Sequence, residues 1–122
     1  MQEELTNLGF NDHKYFPYDP AFPEYGDPQT ADVVCCIDVL EHIEPLHIDA
    51  VLSELRSITK RFGVFTVNCM PAKKILSDGR NAHLIQKPLS WWLPKFEEKF
   101  KIERVQKLDW GFWLIVSPKL LI

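Results

Sequence analysis

Apolar residues follow two rhythms along this chain. Val33, Val34, Cys35, Cys36 and Ile37 form a short continuous run rich in β-branched side chains. Such a run predicts a strand buried on both faces, as in parallel sheets. It ends in Asp38, with Glu41 and His42 one turn later, and short helical structure is expected from Asp38 through Leu40 and Ile43. Over residues 45–60 the rhythm changes. Ile48, Val51, Leu52, Leu55 and Ile58 recur at three- and four-residue steps, which predicts a helix with one apolar face. Pro45 suits its first turn, Lys60 and Arg61 its last, and Gly63 its stop. Residues 64–68 read as a second strand. Strand, helix and strand with short connections make a βαβ unit, whose two strands run parallel.

The flanks are less regular. Residues 1–10 read as a short helix with Leu5 and Leu8 on its apolar edge and Gly9 as its stop. Residues 13–18, HKYFPY, read as a strand weakened by Pro17. Residues 19–30 carry three prolines and a glycine and read as an ordered loop. Residues 69–86 form the longest stretch without periodicity and contain DGRNAH at 78–83. Loops leaving the carboxyl edge of a parallel sheet are where function concentrates. Ser90 is expected to cap a helix through Phe100, with Trp91, Trp92, Leu93 and Phe96 on its apolar side and Pro94 at the limit of tolerance. Residues 101–109 and 112–117 read as an antiparallel hairpin turning at Trp110 and Gly111. The predicted fold class is α/β: a mostly parallel sheet of roughly four or five strands, closed by a C-terminal antiparallel hairpin.

Composition narrows the function classes. The 122 residues suit one domain with one core. The net charge of −3 argues against a nucleic-acid binder working through bulk charge. Cys35, Cys36 and Cys69 have neither a disulfide framework nor metal-ligand spacing, so a reducing cytoplasm is expected and no metal is assigned. No signal peptide opens the chain, and no apolar run has the length of a membrane span.

The segment DVVCCIDVLEHI, residues 32–43, resembles the fourth-strand motif of class I S-adenosylmethionine-dependent methyltransferases. KYFPYDP at 14–20 is similar to the end of the second strand of that family, RFGVFTVN at 61–68 to its fifth, and the terminal hairpin to its sixth and seventh. DGRNAHLI followed by a tryptophan pair also resembles a group of small bacterial and phage methyltransferase-like proteins. The resemblance covers nearly the whole chain and implies a Rossmann-like fold. One departure stands out: the family's first strand and its glycine-rich loop are missing. Gly9, Gly26, Gly63, Gly79 and Gly111 are isolated, and the interval from Asp19 to Asp32 is too short for the usual helix, third strand and helix. The missing strand normally lies between the second and the fourth. An unpaired strand edge is costly, so a homo-oligomer, or a partner chain completing the sheet, is expected.

The resemblance implies S-adenosylmethionine as cofactor and assigns roles. Asp19 would accept hydrogen bonds from its ribose hydroxyls; alternatively Asp19 caps the turn it forms with Pro20. Asp38, Val39 and Leu40 would shape the cofactor floor, Asp38 alternatively serving as a helix cap. Glu41 and His42 would support the loop geometry. His83 is the general-base candidate for the acceptor proton, because its ordinary pKa lies near neutrality; the more common use of such a residue is as a loop histidine satisfied by backbone. Asn68, Arg80, Asn81 and Trp91 are the substrate-binding candidates. Arg80 could grip a carboxylate or phosphate bidentately or pin the loop to Asp78, and the tryptophan pair could wall a substrate or cover the core. Three readings follow: a methyltransferase of unknown acceptor, a non-catalytic truncated fold kept for binding or assembly, and an enzyme whose cofactor site is completed by another subunit.

Overall fold

The apolar run at 33–37 forms the core of strand β1, Ala31–Ile37. The remaining elements are helix α1, Ile48–Ile58, strand β2, Thr59–Asn68, helix α2, Leu89–Lys99, and strands β3, Phe100–Lys107, and β4, Gly111–Pro118. This computed structural model describes residues 26–119, and a compact unit begins at Ala31. The expected helix at 1–10, the expected strand at 13–18 and Asp19 lie outside the described residues. Among the described residues no helix is long and apolar enough to cross a membrane.

The strands form one sheet in the order β1-β2-β4-β3. β1 pairs with β2 in parallel, Val34 opposite Gly63 and Cys36 opposite Phe65. β4 enters between β2 and β3 and runs antiparallel to both. Three described strands therefore share one direction and the last is reversed, the Rossmann-like arrangement expected. β3 is the outermost described strand on its side, and most of its residues are exposed.

Several boundaries differ from expectation. The 45–60 helix is a 3-10 turn, Pro45–His47, followed by α1, which stops at Ile58. Lys60 and Arg61 belong to β2, not to the last helical turn. The reason is Thr59: its backbone is extended, its hydroxyl donates to the Leu55 carbonyl at 2.7 Å, and it pairs with Ala31. Of the stretch from Asp38 to Ile43 only Leu40–His42 is helical, as a single 3-10 turn. Ser90 is not a cap. Pro88 precedes α2, and its carbonyl receives the amides of Trp91 and Trp92. The hairpin loop is Asp109 and Trp110, closed by Leu108 and Gly111, whose N–H groups donate to each other's carbonyls.

One face of the sheet is closed by both helices. Ile48 and Leu52 of α1 and Trp92 and Phe96 of α2 meet Cys36, Phe65, Val67, Phe112, Leu114 and Val116 in a single core. Burying each such side chain contributes about 1.5–3 kcal/mol. The Phe96 ring lies 5.2 Å from that of Phe65 and 6.4 Å from that of Phe112. On the opposite face Val33, Cys35, Val64, Thr66, Trp113 and Ile115 are half-buried. β1 thus alternates in burial and is not closed on both faces among the described residues.

The 69–88 connection is ordered by its own side chains. Asn81 closes a ring across it: Oδ1 accepts from the Ala72 and His83 amides, and Nδ2 donates to the Ala72 carbonyl. Arg80 donates from Nε to Asp78 and through both terminal nitrogens to Glu44, at 2.9 and 2.7 Å. Gly79, at φ 91, makes the turn between them.

Two expectations follow. A Cβ on Gly111 would stand 2.0 Å from the Val67 carbonyl oxygen, a backbone atom that cannot swing away. Gly111→Ala should therefore lower stability by at least about 2 kcal/mol, read as a fall in the urea midpoint. Hydrogen bonds from Arg80 hold the Glu44 and Asp78 carboxyls below their ordinary values of 4.5 and 3.8. A depressed carboxyl contributes above its ordinary value, and the contribution is lost as pH falls through the lowered one. The 75–81 turn should hold at neutral pH and loosen below that carboxylate range. Arg80→Met should loosen it at all pH values, with little change in melting temperature because the pairs are exposed. Hydrogen exchange of the Leu76 and Gly79 amides, corrected for intrinsic rates, measures both effects.

Candidate functional site

The parallel pairing brings the carboxyl ends of β1 and β2 to one rim, where the next residues are Asp38 and Cys69. Asp38 has φ 54, the one non-glycine residue in the left-handed region among the described residues. That conformation is costly for an L-residue and is held by its surroundings. Here the holder is Thr66. The Asp38 amide donates to the Thr66 carbonyl and hydroxyl, and the hydroxyl donates back to Asp38 Oδ1 at 2.9 Å. Oδ2 has no hydrogen-bond partner among the described residues, and the side chain does not cap the following turn.

The left-handed step sends the chain into the Leu40–His42 turn. Leu40 enters the core and Glu41 is fully buried. Glu41 Oε2 accepts the Asn68 amide at 3.0 Å, which ties the turn to the end of β2. Its Oε1 is buried without a partner among the described residues, at a cost of about 1–3 kcal/mol. The Glu41 carbonyl accepts the Ile85 amide, so the 82–85 segment is drawn to the same place.

That segment delivers His83 beside His42. The rings meet edge to face, centroids 4.8 Å apart. His42 Nδ1 lies 3.1 Å from the Ala82 carbonyl and His83 Nδ1 lies 2.5 Å from the Met70 carbonyl. A carbonyl only accepts, so each imidazole carries a proton on Nδ1, and in the neutral ring the lone pair is on Nε2. One carboxylate oxygen of Glu41 and one nitrogen of each histidine lie within 4.8 Å of one another. Sequence reading supplied each residue but not the trio, because the chain between His42 and His83 hides their proximity.

The other candidates divide. Val39 is 46 % exposed beside Asp38, whereas the Leu40 side chain is buried and holds the turn from below. Asn68 Oδ1 accepts the Met70 amide and shapes the exit from β2. Arg80 is taken up by Glu44 and Asp78, the pinning alternative, and Asn81 is spent on Ala72 and His83. Trp91 packs against Trp92 with Lys95 over its ring at 4.9 Å, which makes it core cover. Burial pushes the Cys36 thiol up to about 12, with the Glu41 carboxylate adding to the effect. Burial likewise raises the Cys69 thiol. Neither is a ready nucleophile at neutral pH. An open groove of about 740 Å³ between α2 and β3, lined by Leu93, Glu97, Ile102 and Val105 among others, shares no residue with this site.

No protein-family model matches the chain, and no curated protein matches it in sequence. Solved structures do. It is similar to the PH0226 protein from Pyrococcus horikoshii OT3, with TM-score 0.58 and 17% identity over 97% of this chain and 65% of that one. It is similar to the mitomycin 7-O-methyltransferase MmcR, with TM-score 0.59 and 16% identity over 97% of this chain and 38% of the other. A third is magnesium protoporphyrin IX methyltransferase, ChlM, from Synechocystis PCC 6803 with bound SAH, at TM-score 0.52 and 21% identity over 95% and 55%. The chain spans less than two thirds of each of these. Identities this low speak to architecture alone: the chain has a class I S-adenosylmethionine-dependent methyltransferase-like fold, Rossmann-like and α/β.

Proposed function

We propose that the chain binds S-adenosylmethionine at the carboxyl rim of β1 and β2 and serves methyl transfer from it. The observation that carries this reading is the left-handed Asp38 turn. It presents a carboxylate with one oxygen unengaged among the described residues, beside the exposed apolar Val39, where ligands of open α/β sheets bind. The two methyltransferases among the similar structures, one of them with bound SAH, support it.

The sulfonium is already activated, so the protein's work is alignment. The acceptor's lone pair attacks the methyl carbon, the carbon–sulfur bond breaks with its electrons returning to sulfur, and the acceptor loses a proton. Asp38 Oδ2 accepts a hydrogen bond from the cofactor, Val39 covers an apolar part of it, and Leu40 and Thr66 hold both in place. His83, with Nδ1–H committed to the Met70 carbonyl, offers Nε2 to the acceptor proton. Asp19 is proposed for the ribose hydroxyls. β1 is the outermost described strand on the side of this rim, and a second copy or a partner chain is proposed to complete the cofactor site there.

Calorimetric titration with S-adenosylmethionine and S-adenosylhomocysteine tests the reading. Saturable binding is expected. Asp38→Asn keeps a residue that tolerates the left-handed backbone but removes the charge, and should weaken binding at least tenfold (about 1.4 kcal/mol) with an unchanged circular dichroism spectrum. Absence of heat at millimolar cofactor would overturn cofactor binding. Light scattering on the same samples separates the partner proposal, which a monomer binding with full affinity would rule out.

A further inference from the structure

We propose that Glu41, His42 and His83 form a binding site for a divalent transition-metal ion. Their donor atoms lie within 4.8 Å of one another. Metal–donor distances of about 2.0–2.2 Å place donors about 3–4 Å apart, so closing the site takes a contraction of about 1 Å. His42 is the exposed member of the three.

The surroundings are those of a ligand set. A metal-bound imidazole generally donates its other N–H to a carbonyl or carboxylate, which fixes the tautomer and aims the lone pair. Both histidines do this, His42 to Ala82 and His83 to Met70. Glu41 is divided in the same manner: Oε2 is anchored by the Asn68 amide, while Oε1 is buried and unpartnered. A cation is the partner that an unpartnered buried carboxylate oxygen of a residue clustered with two imidazoles calls for. The frame is held independently of any ion by the Ile85 amide on the Glu41 carbonyl and by Asn81 across the loop.

Two nitrogens and one oxygen favour zinc, cobalt, nickel or iron over magnesium, which prefers oxygen donors. Three protein donors leave at least one coordination position open. On the methyl-transfer reading, and only there, an acceptor hydroxyl bound at that position loses its proton to solvent more readily. The ion then relieves His83 of the proton-accepting role. Ion binding itself does not depend on that reading.

The test is calorimetric titration of the chelator-treated full chain with zinc chloride, together with the visible absorption of the cobalt-loaded protein. One ion per chain, with micromolar or tighter affinity and the intense bands of low-coordinate cobalt, is expected, and magnesium should bind far more weakly. His42→Ala, at an exposed position, should keep the circular dichroism spectrum and lose roughly 100-fold or more in zinc affinity. Wild-type protein that gives neither heat nor cobalt bands would overturn the proposal. So would His42→Ala binding zinc as tightly as wild type, or binding that is abolished by thiol alkylation alone. S-adenosylmethionine titrated into the same preparations keeps the two readings apart. Ion binding without cofactor binding removes the methyl-transfer reading and leaves the metal site standing; cofactor binding without ion binding does the reverse.

Discussion

The parallel pairing of β1 with β2 is the constraint from which the rest follows. Two parallel neighbours cannot be joined by a tight turn, so the chain must cross over and return. The crossover is α1, and it fixes which sheet face is covered. It also brings both strands to an end at the same rim, which is why Asp38 can reach Thr66 and Glu41 can reach the Asn68 amide. An antiparallel pair would have put these groups at opposite ends of the sheet.

At that rim, stability and chemistry pull in different directions. The left-handed Asp38 and the unpartnered Glu41 oxygen both cost free energy, and both lie within a few residues of His42. The aromatic core under α1 and α2 is far from them in character: apolar, closely packed and built around Phe65, Trp92, Phe96 and Phe112. The core carries a polar cost of its own, the Trp92 indole N–H, buried without a partner among the described residues, and its close apolar packing lets the edge hold an uncomfortable arrangement.

Much of this was legible from residue order. The three- and four-residue recurrence of Ile48, Val51, Leu52, Leu55 and Ile58 located α1, and the β-branched run located β1, because both patterns report burial directly. The class of the fold was legible from the DVVCCIDVLEHI segment. Helix ends were less so. Lys60 and Arg61 suit a last helical turn locally, yet pairing with β1 pulls them into a strand, an outcome set by residues far away in sequence. Ser90 is an able cap by type, but the extended backbone at Pro88 starts the helix two residues earlier. Within the loop, the pinning of Arg80 to Asp78 was legible as one alternative, whereas the longer-range partners were not. Arg80 and Asn81 look partly available in sequence because Glu44 and Ala72, which engage them together with Asp78 and His83, lie outside the DGRNAH segment. His42 and His83 look unrelated for the same reason.

The outermost strand β3 has a consequence for how copies of this chain can meet. Half of its eight residues, Lys101, Glu103, Arg104 and Lys107, are ionisable, and the strand is exposed along most of its length. A foreign strand docking there would have to strip water from charges along its whole length. Growth of the sheet in that direction is therefore opposed by solvation of these charges.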